Sequence, residues 1–365
     1  KFSYGGNIQL SNYENKTQFE FYNTDYNTKI DFIKYGLFLK SNSTFIDDKL
    51  GLSLGVRLDQ DNFTQENNIF ENISPRLALS LIISEDKKWK FNFATGRYFK
   101  IPTYTSLGFK NFDNVFLNES SKYTRSDHIV GGFEFNWTES SRFTFEAFYK
   151  KYNNYPVSKV DGVSLANKGA DFEVLGNEEI LTIGKGKSYG LEFLYQQKLK
   201  DNFYGILSYT FFYSKFSGLD KIYLPSVWDN RHLLSFTGGY KLKKNWELST
   251  KIRFTGKTPY SPVDIASSTQ SYPEIIFDYS QLGNYYLNDF TKLDVRVDKR
   301  WNFKSTSMNF YIDIENLLMD EIPVPPEYGL QRDGNLNIVD PRNLIEVISD
   351  NRSSLIPSIG FVFDF

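Results

Sequence analysis

Two histidines, two near-miss loop motifs and a group of loop aromatics are the residues here whose types could do chemistry. His128 follows Asp127 directly, and His232 stands three residues after Asp229, the imidazole–carboxylate pairing of general acid–base catalysis. Such a pair also needs a nucleophile or further carboxylates converging on it. Both histidines fall near the ends of alternating segments, beside long connections, so solvated strand-end positions are the plainer reading and no catalytic residue is assigned. "GKGKS" at 184–188 invites a phosphate-loop reading, but the Walker spacing needs glycine where Leu181 stands. The segment also leads into a strand pattern rather than a helix, so its glycines and lysines are expected within a sheet. "QRDGNLN" at 331–337 offers Asp333, Asn335, Asn337 and Asp340 as oxygen ligands. It lacks the later bidentate Glu of a calcium loop, and Asp-Gly between alternating residues predicts a hairpin turn.

The loop aromatics hold more promise. "TYTSLGFKNFDNVF" (103–116), "LDKIYLPSVWDN" (219–230) and "QSYPEIIFDYSQLGNYY" (270–286) concentrate Tyr, Phe and Trp in long connections. Tyr104, Tyr223, Trp228, Tyr272, Tyr279 and Tyr285 could stack on a ligand, with Arg97 and Arg231 as anion contacts. The competing reading is that these rings form the loops' own small hydrophobic clusters.

Composition narrows the class. The 365 residues carry 42 Lys+Arg against 44 Asp+Glu, a formal net charge of -2, without a basic run. That balance gives no attraction for nucleic acid. With no Cys there is neither a disulfide framework nor a thiolate metal site, and two His supply a histidine metal site poorly. No metal or cofactor is expected. Phe and Tyr are abundant, 34 and 25 residues. No apolar run approaches the roughly 18 residues of a membrane helix.

The elements that must position any site read as strands. About fourteen segments of about ten residues alternate at period 2: 2–11, 34–44, 49–60, 74–84, 88–100, 127–137, 142–153, 187–199, 202–215, 230–242, 245–256, 290–302, 305–317 and 355–365. In one, Leu293, Val295, Val297 and Trp301 oppose Lys292, Asp294, Arg296, Asp298 and Arg300. Short polar connections ("IDDK", "EDKK", "TESS", "KDN", "KKN", "KST") alternate with long ones, the longest at about 257–289 and 318–354. Short turns at one end and long loops at the other are the habit of outer-membrane barrels. Trp89, Trp137, Trp246 and Trp301 all fall beside short turns, as an aromatic girdle at headgroup level requires. Phe361, Phe363 and Phe365 share the apolar parity of the final strand. The fold class expected is therefore all-β: a transmembrane antiparallel β-barrel whose apolar parity faces outer-membrane lipid and whose polar parity faces a wet interior.

Taken in order, "GRYFKIPTYTSLG" (96–108), "GKGKSYGLEFLYQQKL" (184–199), "LSYTFFYS" (207–214), "DNRHLLSFTGGYKL" (229–242), "KLDVRVDKRW" (292–301), "YIDIENLL" (311–318) and "IPSIGFVFDF" (356–365) resemble the end of TonB-dependent outer-membrane transporters such as those of Bacteroidota. The resemblance implies a 22-stranded barrel with a plug in its lumen, TonB-energised import of a scarce solute, and no bond chemistry. The solute could be an iron chelate, cobalamin, glycan or peptide. A surface lipoprotein partner is compatible with it. Residues 1–365 are then expected to be the C-terminal portion of the barrel, with the plug, the remaining strands and the TonB-contacting region upstream. The alternatives are a passive channel closed by these fourteen strands or an outer-membrane enzyme using the histidines.

Overall fold

The computed structural model describes residues 1–19, 24–64, 68–111, 113–169, 175–335, 337–340, 343–347 and 353–365. Nineteen strands are formed among the described residues. The first nine are β1 (Phe2–Phe19), β2 (Thr24–Phe45), β3 (Leu50–Asp61), β4 (Ile73–Ile82), β5 (Trp89–Lys100), β6 (Thr124–Thr138), β7 (Ser141–Ser158), β8 (Ile180–Lys200) and β9 (Phe203–Ser217). They are followed by β10 (Tyr223–Pro225), β11 (His232–Leu242), β12 (Trp246–Thr255), β13 (Pro259–Tyr260), β14 (Tyr285–Tyr286), β15 (Phe290–Asn302), β16 (Ser307–Glu315), β17 (Glu327–Leu330), β18 (Leu344–Val347) and β19 (Ile356–Asp364). The main sheet runs in the order β1-β2-β3-β4-β5-β6-β7-β8-β9-β11-β12-β15-β16-β19, with β10 added beside β9. Its fourteen strands coincide with the fourteen alternating segments of the sequence, so the fold is the all-β antiparallel sheet expected. At the ends of the order, among the described residues, β1 pairs only with β2 and β19 only with β16. The chain divides into two compact units: Lys1–Glu134 with Glu146–Gly190 and Tyr213–Val227, and Phe135–Phe145 with Leu191–Phe212 and Trp228–Phe365.

Turn chemistry explains the short connections. Asp201 and Asn202 (φ 49° and 69°) and Lys244 and Asn245 (both 59°) lie in the left-handed region. Two consecutive positive φ values give a tight hairpin the same twist as its strands.

The two faces of each strand differ as the alternation predicts. In the first unit, Phe2, Tyr4, Ile8 and Leu10 form one exposed apolar row of β1. The registers continue that row through Leu39, Val56, Leu54, Leu79 and Phe93. The opposite face carries Arg57, whose guanidinium bonds Asp59 at 2.6 and 2.7 Å and Asn7 at 2.8 Å. In the second unit the polar face holds Arg296, paired with Asp298 at 2.8 Å and near Asp313 at 3.8 Å. Its guanidinium lies over the Tyr311 ring, 3.8 Å from the centroid. That ring in turn occupies the space above Gly360, where a Cβ would sit 2.4 Å from it. Phe310 and Phe361 meet on the other face at 4.9 Å.

One expectation needs correction. The first two strands are longer than the segments 2–11 and 34–44, extending to Phe19 and starting from Thr24. The additional pairs are polar on the face of Phe2 and Leu10, as in Asn12 with Asp31 and Lys16 with Asn27, while on the other face Tyr13 pairs with Ile30 and packs toward Leu107. Past Leu10 the formerly apolar parity turns polar, so the alternation that marks the rest of the strand stops there.

Candidate binding surface at the long-loop end

The long connections of the first unit are folded and cross-tied. After β5, a short helix, Tyr104–Leu107, is capped by the Thr103 hydroxyl. Its Leu107 is fully buried with Ile30 and Phe32, and Tyr13, Phe63, Ile101, Tyr104 and Phe116 pack around them. Tyr104 is part of this packing. It meets the Phe32 ring edge-on at 5.2 Å, and its hydroxyl accepts from Lys34 Nζ at 2.6 Å. Phe112, in the same stretch, lies outside the described residues.

Buried polar side chains fasten the loops by their backbones. Asp61 accepts from the amides of Phe63 and Thr64, both at 2.7 Å, and from the Tyr123 hydroxyl at 2.7 Å. Asn118 donates to the carbonyls of Ser106 (2.7 Å) and Glu178 (2.8 Å) and accepts from the Ile180 amide (2.9 Å). Asn167 donates to the carbonyls of Leu224 (3.1 Å) and Pro225 (2.7 Å). Lys168 joins Asp161 at 2.5 Å and Glu178 at 2.7 Å. Burial pushes its ammonium pKa down, but the bonds to those two carboxylates outweigh that and leave it raised. Sequence reading missed Asn118 and Asn167, because loop asparagines are ordinary and nothing in their spacing announces a cross-tie.

The other loop candidates are more open. Tyr223 begins β10, exposed, with Lys187 Nζ 4.7 Å from its ring centroid. In the second unit Trp228 is half exposed, and Arg231 Nε stands 3.5 Å from the fully buried Asp229. Tyr272 follows the helix Ile265–Ser271. Tyr279 lies near Phe277 at 6.1 Å, and the exposed Tyr285 packs edge-on against Tyr260 at 6.0 Å. Arg97 lies near the end of β5. The register puts it in the row of Phe91 and Phe93, on the apolar side. There it bonds Asp127 at 2.7 Å, which Arg125 also approaches at 3.2 Å.

The other motifs resolve as structure. Asp127 is engaged by arginines, while His128 Nε2 meets the Ser126 hydroxyl at 2.6 Å and its ring lies tilted against Tyr98, 4.6 Å between centroids. His232 Nδ1 meets the Tyr209 hydroxyl at 2.8 Å. "GKGKS" lies inside β8, where a Cβ on Gly186 would stand 2.3 Å from the Phe216 ring. Asp333 accepts from the amides of Asn335 and Asn337, each at 2.9 Å, and these bonds hold its pKa down, the Asn337 side chain first. Away from the loops, a groove of about 890 Å³ on the polar face of the first unit is lined by small side chains, among them Ser53, Ala78, Ser80 and Ala94.

The girdle candidates each stand beside a short turn. Trp89 opens β5, Trp137 is next to last in β6, Trp246 opens β12 and Trp301 is next to last in β15, and all four are exposed. Phe361, Phe363 and Phe365 are exposed as well. Sequence reading passed over Lys299, which sits in the apolar row between Val297 and Trp301 and opposite Trp246. The signal was available: one charge in an otherwise apolar parity.

A long antiparallel sheet with one apolar and one ion-paired face, tight turns at one end and large loops at the other, is the wall of an outer-membrane β-barrel. The chain belongs to the TonB dependent receptor-like, beta-barrel family, whose sequence profile matches residues 2–317. The family consists of transporters rather than enzymes. Three solved structures are similar to it in fold. The FpvAI–pyocin S2 complex is 12% identical, with 99% of this chain and 46% of that chain covered and a TM-score of 0.62. The pyoverdine outer membrane receptor FpvA of Pseudomonas aeruginosa bound to pyoverdine is 14% identical, covering 81% and 39%, with a TM-score of 0.57. The ferric enterobactin receptor PfeA (G324V mutant) of Pseudomonas aeruginosa is 16% identical, covering 92% and 44%, with a TM-score of 0.56. The chain thus spans less than half the length of these receptors. No curated protein matches it.

Proposed function

We propose that this chain forms the C-terminal part of the wall, and many of the outer loops, of an outer-membrane importer. A scarce solute binds at the long-loop end, and energy delivered through TonB releases it inward. The observation that carries the reading is the two-faced fourteen-strand sheet together with the family match over residues 2–317. In this reading the apolar face meets lipid and the ion-paired face lines a hydrated lumen. Further strands upstream would continue the wall, which suits β1 and β19 having one paired neighbour each. The groove of small residues on the polar face leaves room for an upstream plug. Tyr223, Trp228, Arg231, Tyr272, Tyr279 and Tyr285 are the solute contacts proposed. Arg97 and Tyr104 are set aside, the first because it stands on the apolar side and the second because its ring and hydroxyl are committed to packing. Iron chelates are the solutes to assay first, because the receptors similar in fold bind pyoverdine and, in the case of PfeA, are named for ferric enterobactin.

Uptake of a labelled ferric siderophore by cells producing the receptor tests the proposal. Deleting TonB should abolish accumulation while surface binding persists. Uptake that continues without TonB would instead support a passive channel.

A further inference from the structure

We infer that the sheet sector around Lys299 is a binding site for the phosphate of an anionic membrane phospholipid. The inference rests on the reading that the apolar face touches lipid. Lys299 lies in the apolar row of β15, flanked along the strand by Val297 and Trp301 and across it by Trp246 and Phe310. A lysine in such a row extends its stem toward the nearest wet level. Here that level is the turn 243–245: Lys299 Nζ donates to the Lys244 carbonyl, 5.4 Å from the Trp246 ring centroid and 5.5 Å from that of Trp301. The ammonium keeps two more donors, and among the described residues no carboxylate pairs with it or with Lys243 or Lys244. The nearby acids, Glu247 and Asp298, belong to the opposite face.

The charge of this sector differs from that of its neighbours. The turns at 46–49, 85–88, 138–141 and 200–202 each contain an acid, whereas 243–245 and 304–306 contain Lys243, Lys244 and Lys304 and none. Exposed Leu242, Leu248 and Phe303 surround the cations. Acyl chains suit that apolar surround, indoles suit the glycerol level, and the four lysines suit a phosphate. A soluble phosphate ion would use the lysines but has no need of the indoles or the apolar surround, so a leaflet lipid is the occupant.

The test uses the receptor in vesicles with Trp89, Trp137, Trp228 and every tryptophan upstream of Lys1 replaced by Phe, leaving Trp246 and Trp301 to fluoresce. Brominated phosphatidylglycerol should quench them at a lower mole fraction than brominated phosphatidylcholine. Lys299→Gln should weaken that preference about fivefold, the effect of one surface lysine on an anionic lipid. The double variant K243Q/K244Q, confined to an exposed turn, should weaken it further without disturbing a strand. Equal quenching by the two lipids, no response to either variant, or relief of quenching by inorganic phosphate would each overturn the site. Absence of quenching by either lipid would sink the membrane-facing reading itself.

Discussion

Replacing Val297 by arginine tests which face meets lipid. Val297 stands four residues before Trp301 on β15. At about 3.4 Å per residue that is roughly 13 Å along the strand. With a tilt of ~40° it becomes about 10 Å of depth below the girdle, close to the middle of a band ~25 Å tall. An arginine facing lipid at that depth costs about 2–4 kcal/mol. The control is Ser358→Arg on β19, whose register partner on the ion-paired face is Asp313. An exposed substitution of that kind should stay within about 0.5 kcal/mol. Equilibrium unfolding of the receptor in phospholipid vesicles, followed by the mobility difference between folded and unfolded protein on a gel, yields both values. Equal costs for V297R and S358R would refute the assignment of faces.

Three other perturbations probe the fold and the loops. Gly186→Val should lose about 1–3 kcal/mol through overpacking against Phe216, and Phe216→Leu in the same chain should recover part of that loss, a non-additivity measured by the same unfolding assay. Asp61→Ala strips the acceptor from two amides and the Tyr123 hydroxyl, so amide exchange at Phe63 and Thr64 should quicken, consistent with about 1–3 kcal/mol for buried donors left unmet. The Lys168 pKa is raised above the ordinary 10.5, so its ion pairs contribute fully below that value and are lost as pH rises through the raised one. A spin label at the exposed Val160 should gain mobility only in that alkaline window, and Lys168→Gln should abolish the transition.

Strands were legible wherever their two sides meet different surroundings. Leu293, Val295 and Val297 opposite Asp294, Arg296 and Asp298 give β15 its bounds to the residue. The outer parts of β1 and β2 escaped notice because Asn12, Glu14 and Lys16 face water on the same footing as Asn27, Lys29 and Asp31. Loop aromatics could be assigned to loops from sequence, but not sorted into packed and open ones. Tyr104 and Tyr223 look alike in a string of letters, and only the loop's return onto Phe32 and Lys34 separates them. The side on which Arg97 stands was legible in its parity with Phe91 and Phe93, which puts it in the apolar row.

The asparagine ties carry an evolutionary consequence. Asn118 and Asn167 grip the main-chain oxygens of Ser106, Glu178, Leu224 and Pro225, which every amino acid possesses. Leu224 and Pro225, whose side chains are half buried, can therefore mutate without releasing their anchors. On the proposed function, the mouth of the receptor could change its chemical appearance, and with it the cargo it takes, while its architecture stays put.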